Sequence, residues 1–300
     1  MVARPNSCLP NNNARHKKQP ALFITNHINY LFKSIIMLKQ RILTALILIP
    51  LMLLMLFGAG NALWAMFAAL ITLVALWEYS RLAGFSIAQQ TPYLSGTALF
   101  LLLAYSGGWQ LPAWFWGMIL LFWLMIMPAW LQQKWRVQAN ARGMAVGWLL
   151  MLPFWFALIS LRESHGAGSL LALMALVWIA DTAAYFAGRA LGKRKLAPVL
   201  SPKKSWEGAY GGLTAVLLYA LWTRSAGWLF ADLGVLTTLI AACILTFVSI
   251  GGDLLESWLK RAVGIKDSSQ LLPGHGGVFD RIDSLIAAVS VYAAVQILCA

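Results

Sequence analysis

Past residue 40 the chain breaks into nine apolar segments, near 41–58, 62–81, 93–108, 112–131, 143–161, 168–188, 208–223, 228–251 and 279–299. At about 1.5 Å per helical residue, segments of this length cross roughly 30 Å of hydrocarbon. The pattern predicts an all-α fold, a polytopic membrane helical bundle of about nine transmembrane helices. Composition argues against two soluble domains. A mean hydropathy of +0.72, with 15 Trp and 11% charged residues, is more apolar surface than a soluble core of 300 residues could absorb.

The net charge of +13 raises nucleic acid as a partner, but the basic residues stand in short blocks between apolar spans, as in cytoplasmic membrane loops. No nucleic acid is expected. A cytoplasmic N-terminus puts Lys39, Arg41, Arg81, Lys134, Arg136, Arg142, the stretch from Arg189 to Lys204 and that from Lys260 to Arg281 on one side. The loops left on the other side, near 58–61, 107–111, 162–166 and 224–227, are nearly bare of charge. An odd number of spans satisfies the positive-inside rule and leaves the C-terminus outside. Trp64, Trp109, Trp114, Trp116, Trp130, Trp135 and Trp228 fall near span ends, where indole rings anchor helices. Cys8, Cys243 and Cys299 have no metal-ligand spacing.

Three regions follow. Residues 1–36 are polar and read as an N-terminal extension, either disordered or lying upstream of a natural start at Met37. Residues 37–167 hold N-terminal transmembrane helices with little chemistry. Glu78 is the only acid before residue 163, and it reads as capping a helix end at the interface. Residues 168–300 form a C-terminal transmembrane catalytic region with a cytoplasmic site.

Half of the ten acidic residues lie between Asp253 and Asp283. Carboxylates beside a bilayer are costly unless paired, metal-bound or solvated, so the cluster calls for a function. Asp253, Glu256, Ser257 and Lys260 fall at i, i+3, i+4 and i+7, a polar stripe fit to line a cavity. Glu256 and Lys260 can pair, which leaves Asp253 without a cation one turn away. Pro273-Gly-His-Gly-Gly277 brings backbone amides close to a ligand, and Asp280 and Asp283 follow at the start of the last span. Oxygen ligands from two helix ends suit Mg²⁺. Asp253 and Asp280 are the first choice of metal ligands and Asp283 the next.

Upstream, Ser201 and Pro202 suit the N-cap and N1 positions of a helix, with Lys203 and Lys204 in its first turn. Cations are the wrong sign there unless an anion docks, and phosphate is the usual occupant. Gly208, Gly211 and Gly212 then either allow close helix packing or loosen the helix start. Asp181 shares a helix face with Tyr185, Gly188 and Arg189, so it turns toward the bundle interior as a ligand contact or as half of an ion pair. His275 reads as a phosphate donor, a general base or a local turn residue.

The run through Ser257, Lys260-Arg261, Lys266-Asp267, Pro273-Gly-His-Gly-Gly277 and Asp280-Arg-Ile-Asp283, together with Ser201-Pro-Lys-Lys-Ser-Trp-Glu-Gly208, resembles the signature of the phosphatidate cytidylyltransferase (CDP-diacylglycerol synthase) family. The resemblance implies a bacterial-type inner (plasma) membrane enzyme that converts CTP and phosphatidate to CDP-diacylglycerol and pyrophosphate with Mg²⁺. It implies a metal on Asp253, Asp280 and Asp283, and catalytic duty for Asp253, Asp280, Lys260 and Arg261. Substrate contacts would come from Lys203, Lys204, Lys266, His275, Arg281 and Asp181. Expected partners are CTP, phosphatidate and membrane lipid, with a homodimer left open. A CTP-dependent lipid kinase and a transporter stay in play as alternatives.

Overall fold

A computed structural model describes residues 39–299, Arg41 excepted. The extension assigned to residues 1–36 lies outside the described residues. The chain is mostly helical. We number the helices α1 (Ile42–Gly58), α2 (Asn61–Leu82), α3 (Ile87–Ser106), α4 (Ala113–Gln133), α5 (Ala141–Leu191), α6 (Trp206–Ser225), α7 (Val235–Ala262) and α8 (Phe279–Cys299). A hairpin of β1 (Lys195–Ala197) and β2 (Ser201–Ser205) joins α5 to α6. Among the described residues five helices are long and apolar enough to cross a membrane: α2, α4, α5, α7 and α8. The part of α1 described from Ile42 on has 17 residues. Helices α3 and α6 open on polar or glycine-rich turns, Gln89-Gln90-Thr91-Pro92 and Glu207-Gly208 through Gly211-Gly212.

Two predicted spans are continuous in α5, whose 51 residues are broken only at Gly166, at φ 82° and ψ 164°. The positive φ suits a residue without Cβ, and two helical arms meet there at a kink. The charged stretch from Arg162 to His165 therefore completes a helix and forms no separate loop. Arg162 donates to the carbonyls of Leu56 and Ala59 and to Asn61 Oδ1, tying that turn to the α1–α2 corner. In α4 the helix widens to a π turn over Phe122–Ile126, just before Pro128. Proline has no N–H to give to the ladder, so a register change in that turn is economical.

Helix α8 is the hub. Ile286, Ala287, Ala288, Val289, Ser290 and Val291 are all buried, and α2, α4, α5 and α7 pack around it. Small residues permit this closeness. An added Cβ on Gly252 of α7 would lie 2.6 Å from the Asp283 carbonyl oxygen. Between α5 and α6 the same device recurs: Cβ atoms at Gly208 and Gly212 would lie 2.8 and 2.9 Å from the carbonyls of Ala184 and Ala180. The glycines of α6 thus serve close packing, which settles the choice that the sequence left open.

The start of α6 differs from expectation. Ser201 to Ser205 form a strand, and the helix begins at Trp206 with Ser205 as its N-cap, accepting from Gly208 N at 3.2 Å. The reason is electrostatic. Starting at Trp206 puts Glu207 in the first turn, where the dipole favours an anion, and leaves Lys203 and Lys204 outside the helix. Glu207 also accepts from the amides of Lys193 and Arg194, which closes the hairpin against the end of α5.

Candidate active site

The hairpin, the C-terminal arm of α5 and the ends of α6, α7 and α8 enclose a cavity of about 880 Å³. Its walls change character along their length. Trp178, Ala184, Gly212 and Ile250 form an apolar part, while Lys203, Lys204, Asp253 and Asp283 belong to a charged part. One cavity therefore offers both apolar and charged surface.

Asp253 finds its cation in the hairpin. Lys204 Nζ stands 2.5 Å from its Oδ2, and Ser257 Oγ donates to Oδ1 at 3.3 Å. Strand β2 makes this possible by carrying Lys204 across from α6 to α7, a contact that helical spacing alone does not reveal. Lys260 lies between two carboxylates, 2.6 Å from Glu256 Oε2 and 2.7 Å from Asp280 Oδ1. All three side chains are largely withdrawn from solvent, at 12%, 2% and 6% exposure. A buried ammonium shared by two acids offsets part of the desolvation cost that any one of them would meet alone.

Asp280 has little acceptor capacity to spare. Besides Lys260 it receives Ser268 N at 3.0 Å and Gly277 N at 2.8 Å on Oδ2. It clamps the loop that precedes its own helix. The turn at Pro273–Gly276 holds this shape with Gly274 and Gly276 at φ 75° and 85°, conformations that side chains resist. Asp283 lines the cavity one turn further on and accepts from Ser284 N at 2.6 Å through one oxygen.

Of the site residues expected from sequence, Asp181, Lys203, Lys204, Asp253, Lys260, Asp280, Arg281 and Asp283 all line this cavity. Arg261, Lys266 and His275 do not. Arg261 is turned to the Ile265 carbonyl at 3.0 Å and is exposed, as is Lys266. The His275 carbonyl is gripped by the Arg281 guanidinium, which gives Arg281 a loop-bracing task beside its place in the cavity wall.

Among the described residues no three His, Cys, Asp or Glu side chains are grouped to hold a metal ion by themselves. Mg²⁺ asks less, since one or two carboxylates suffice when substrate phosphates complete its shell. Asp253 and Asp283 fit that demand. The Gly252–Asp283 backbone contact brings their turns together, and both face the cavity. Asp280 fits it less well: two backbone amides and Lys260 converge on its oxygens, whereas Asp253 is met only by the side chains of Lys204 and Ser257.

Sequence reasoning missed the part played by Glu78. It is fully buried, and it caps a helix other than its own: the amides of Val278 and Phe279 at the start of α8 donate to it at 3.0 and 2.6 Å. Ser268 and Ser269 add their hydroxyls at 2.9 and 2.5 Å. The available signal was its isolation, one acid in the first 162 residues, set in an apolar helix.

Comparison with known proteins gives the family. A family model described as "Cytidylyltransferase family" matches residues 39–299. A protein of Pseudomonas aeruginosa named phosphatidate cytidylyltransferase is 43% identical over 276 residues, 86% of this chain and 96% of the relative. One of the same name from Haemophilus influenzae is 36% identical over 84% of this chain and 96% of its own length. A third, from Staphylococcus epidermidis, is 31% identical over 83% of this chain and 95% of its own. With a match that runs through every element of the bundle and all the residues of the cavity, the chain belongs to the cytidylyltransferase family.

Proposed function

We propose that the protein is a phosphatidate cytidylyltransferase, a nucleotidyltransferase that converts CTP and phosphatidate to CDP-diacylglycerol and pyrophosphate. The observation that carries the reading is the two-part cavity, apolar at Trp178, Ala184 and Ile250 and charged at Lys203, Lys204, Asp253 and Asp283. A diacyl lipid can keep its tails beside the apolar wall while its phosphate meets the lysines. The names of the relatives add the substrate pair.

In this reaction an oxygen of the phosphatidate phosphate attacks the α-phosphorus of CTP. The new P–O bond forms as the bond to the oxygen bridging the β-phosphate breaks, and that electron pair leaves with pyrophosphate. The attacking oxygen is already ionised, so no base is required. Lys203, Lys204 and Arg281 bind and orient the phosphates, and Lys260, fixed by Glu256 and Asp280, presents a cation whose position does not have to be reorganised. Asp253 and Asp283 would hold Mg²⁺, with Asp181 across the same cavity. When bound, the ion supplies neutralisation of phosphate charge.

In this reading each of the nine apolar segments of the sequence is a span, with α5 supplying two across its break at Gly166. We read all nine as spans of a bacterial-type inner membrane, with the cavity toward the cytoplasm and the C-terminus outside. The basic loops support that orientation.

The test follows labelled CTP in detergent-solubilised protein, with and without phosphatidate and Mg²⁺. Label entering lipid as CDP-diacylglycerol with release of pyrophosphate supports the proposal. Release of CDP instead assigns a lipid kinase, and a folded protein that transfers nothing to phosphatidate overturns it.

A further inference from the structure

Glu78 belongs to the part of the chain farthest in sequence from the site, and the reaction outlined above does not use it. Its carboxylate is nonetheless among the most heavily hydrogen-bonded groups in the protein. Each oxygen takes one backbone N–H and one serine hydroxyl: Val278 N and Ser269 Oγ on Oε1, Phe279 N and Ser268 Oγ on Oε2. No lysine or arginine within ion-pair distance is recorded among the described residues, so the charge rests on these donors and on the positive end of α8. A carboxylate in this setting is costly to bury unless all its lone pairs are met, and here they are.

These partners also hold the cavity wall. Ser268 gives its hydroxyl to Glu78 and its backbone N–H to Asp280. Gly277 gives its N–H to Asp280, and the next amide, Val278, goes to Glu78. Glu78 and Asp280 therefore hold the same two points of one loop, at Ser268 and at Gly277-Val278. The grip is tight enough to dictate sequence, since an added Cβ on Gly277 would stand 2.5 and 2.6 Å from the two Glu78 oxygens. Asp280 in turn fixes Lys260.

We infer that Glu78 is a positioning residue for the transfer reaction: from α2 it pins loop 266–278 and the first turn of α8, so that Asp280 can hold Lys260 in the cavity. Glu78 touches no substrate, and it acts through Asp280. The inference rests on the cytidylyltransferase reading only for its activity readout, and the anchoring itself is read separately by amide exchange.

The experiment compares wild type, Glu78→Gln, Asp280→Asn and the double variant. It measures kcat and KM for CTP in detergent and hydrogen exchange of the peptides covering 266–280. The amide of glutamine turns a donor toward backbone N–H groups and cannot replace the carboxylate. Exchange at Val278 and Phe279 is expected to accelerate at least tenfold while the middle of α7 keeps its protection. A misplacement near 1 Å costs about 10²-fold in rate, so kcat should fall on that order with KM for CTP changed less than threefold. Because Glu78 works through Asp280, the double variant should be no slower than Asp280→Asn by more than about twofold.

Unchanged exchange in 266–280, or losses in kcat that multiply in the double variant, would overturn the inference. Should Glu78→Gln fail to fold, Ser269→Ala replaces it in the same cycle. It removes the shortest of the four bonds, leaves both backbone donors, and is judged by the same two criteria. A wild type with no transfer activity refutes the function proposed above and leaves the exchange result to decide the anchoring.

Discussion

Gly252→Ala puts the geometry of the site under the most direct strain. Gly252 sits on α7 one residue before Asp253, facing α8. A Cβ built there would lie 2.6 Å from the Asp283 carbonyl oxygen and 3.1 Å from Ala287 Cβ, where ordinary contact begins at 3.4 Å. The first obstacle is backbone and cannot rotate away. The two helices must therefore part by about 0.8 Å, or α7 must turn, and either movement changes the relation of Asp253 to Asp283. Overpacking of this kind costs roughly 1–3 kcal/mol of stability. A displacement near 1 Å in a catalytic constellation lowers rate by about 10²-fold.

Helix propensity pushes the other way, since alanine replaces glycine in a helix interior with a gain of up to about 1 kcal/mol. Gly117 on α4 supplies the control, for a Cβ there meets nothing within 4 Å. Gly117→Ala should be neutral or slightly stabilising, with full activity. The assay is CTP-to-lipid transfer in detergent alongside unfolding of the same preparations. A Gly252→Ala protein that keeps kcat within twofold of wild type and melts no lower than Gly117→Ala would refute the reasoning about the α7–α8 contact.

Lys260→Met leaves Glu256 and Asp280 buried without their shared cation, and removal of one partner from such a group costs about 3–5 kcal/mol. Unfolding in an SDS titration should show that loss, and adding Glu256→Gln should recover part of it. Ser205→Ala deletes the N-cap of α6 and should lower stability by about 1 kcal/mol in the same titration, whereas Ser205→Asp should not. Lys204→Met removes the cation on Asp253 together with the phosphate contact proposed for it. Transfer kinetics should show kcat/KM for CTP reduced on the order of 10²-fold, and a value within threefold of wild type would exclude Lys204 from the site.

The apolar segments were legible because a membrane imposes length, and the stripe from Asp253 to Lys260 because helical spacing is fixed. Legibility stopped where tertiary contacts choose between local alternatives. Ser201 followed by Pro202 suits a cap by local chemistry, yet the helix is capped by Ser205. The choice falls to Ser205 because strand β2 must cross to α7 and because Glu207 then enters the first turn. Asp253 had no cation within its own helix, and Lys204, its partner, arrives from an element 49 residues earlier that was read as helix. Asp280 has the sequence position of a ligand, yet its oxygens are engaged by loop amides whose approach depends on turn geometry. Glu78 was visible as an isolated acid, but its partners lie 190 or more residues away, beyond any periodicity.

The charge balance of the cavity constrains how substrates enter. Its walls carry six cationic side chains, Arg189, Lys195, Lys203, Lys204, Lys260 and Arg281, and six carboxylates, Asp181, Asp253, Glu256, Asp267, Asp280 and Asp283. At formal charge these cancel. Two of the cations are also committed, Lys204 to Asp253 and Lys260 to Glu256 and Asp280. A nucleoside triphosphate and a phosphatidate headgroup together bring several negative charges into this space, and the wall as it stands has no surplus to meet them. If Lys204 turns to a phosphate, Asp253 loses its partner, and a bare carboxylate then faces an incoming anion. On the function proposed above, a divalent cation held by Asp253 and Asp283 would supply the positive charge that the wall lacks. The carboxylates of the site would then have a use at a centre for anionic substrates, which a purely basic pocket would not explain.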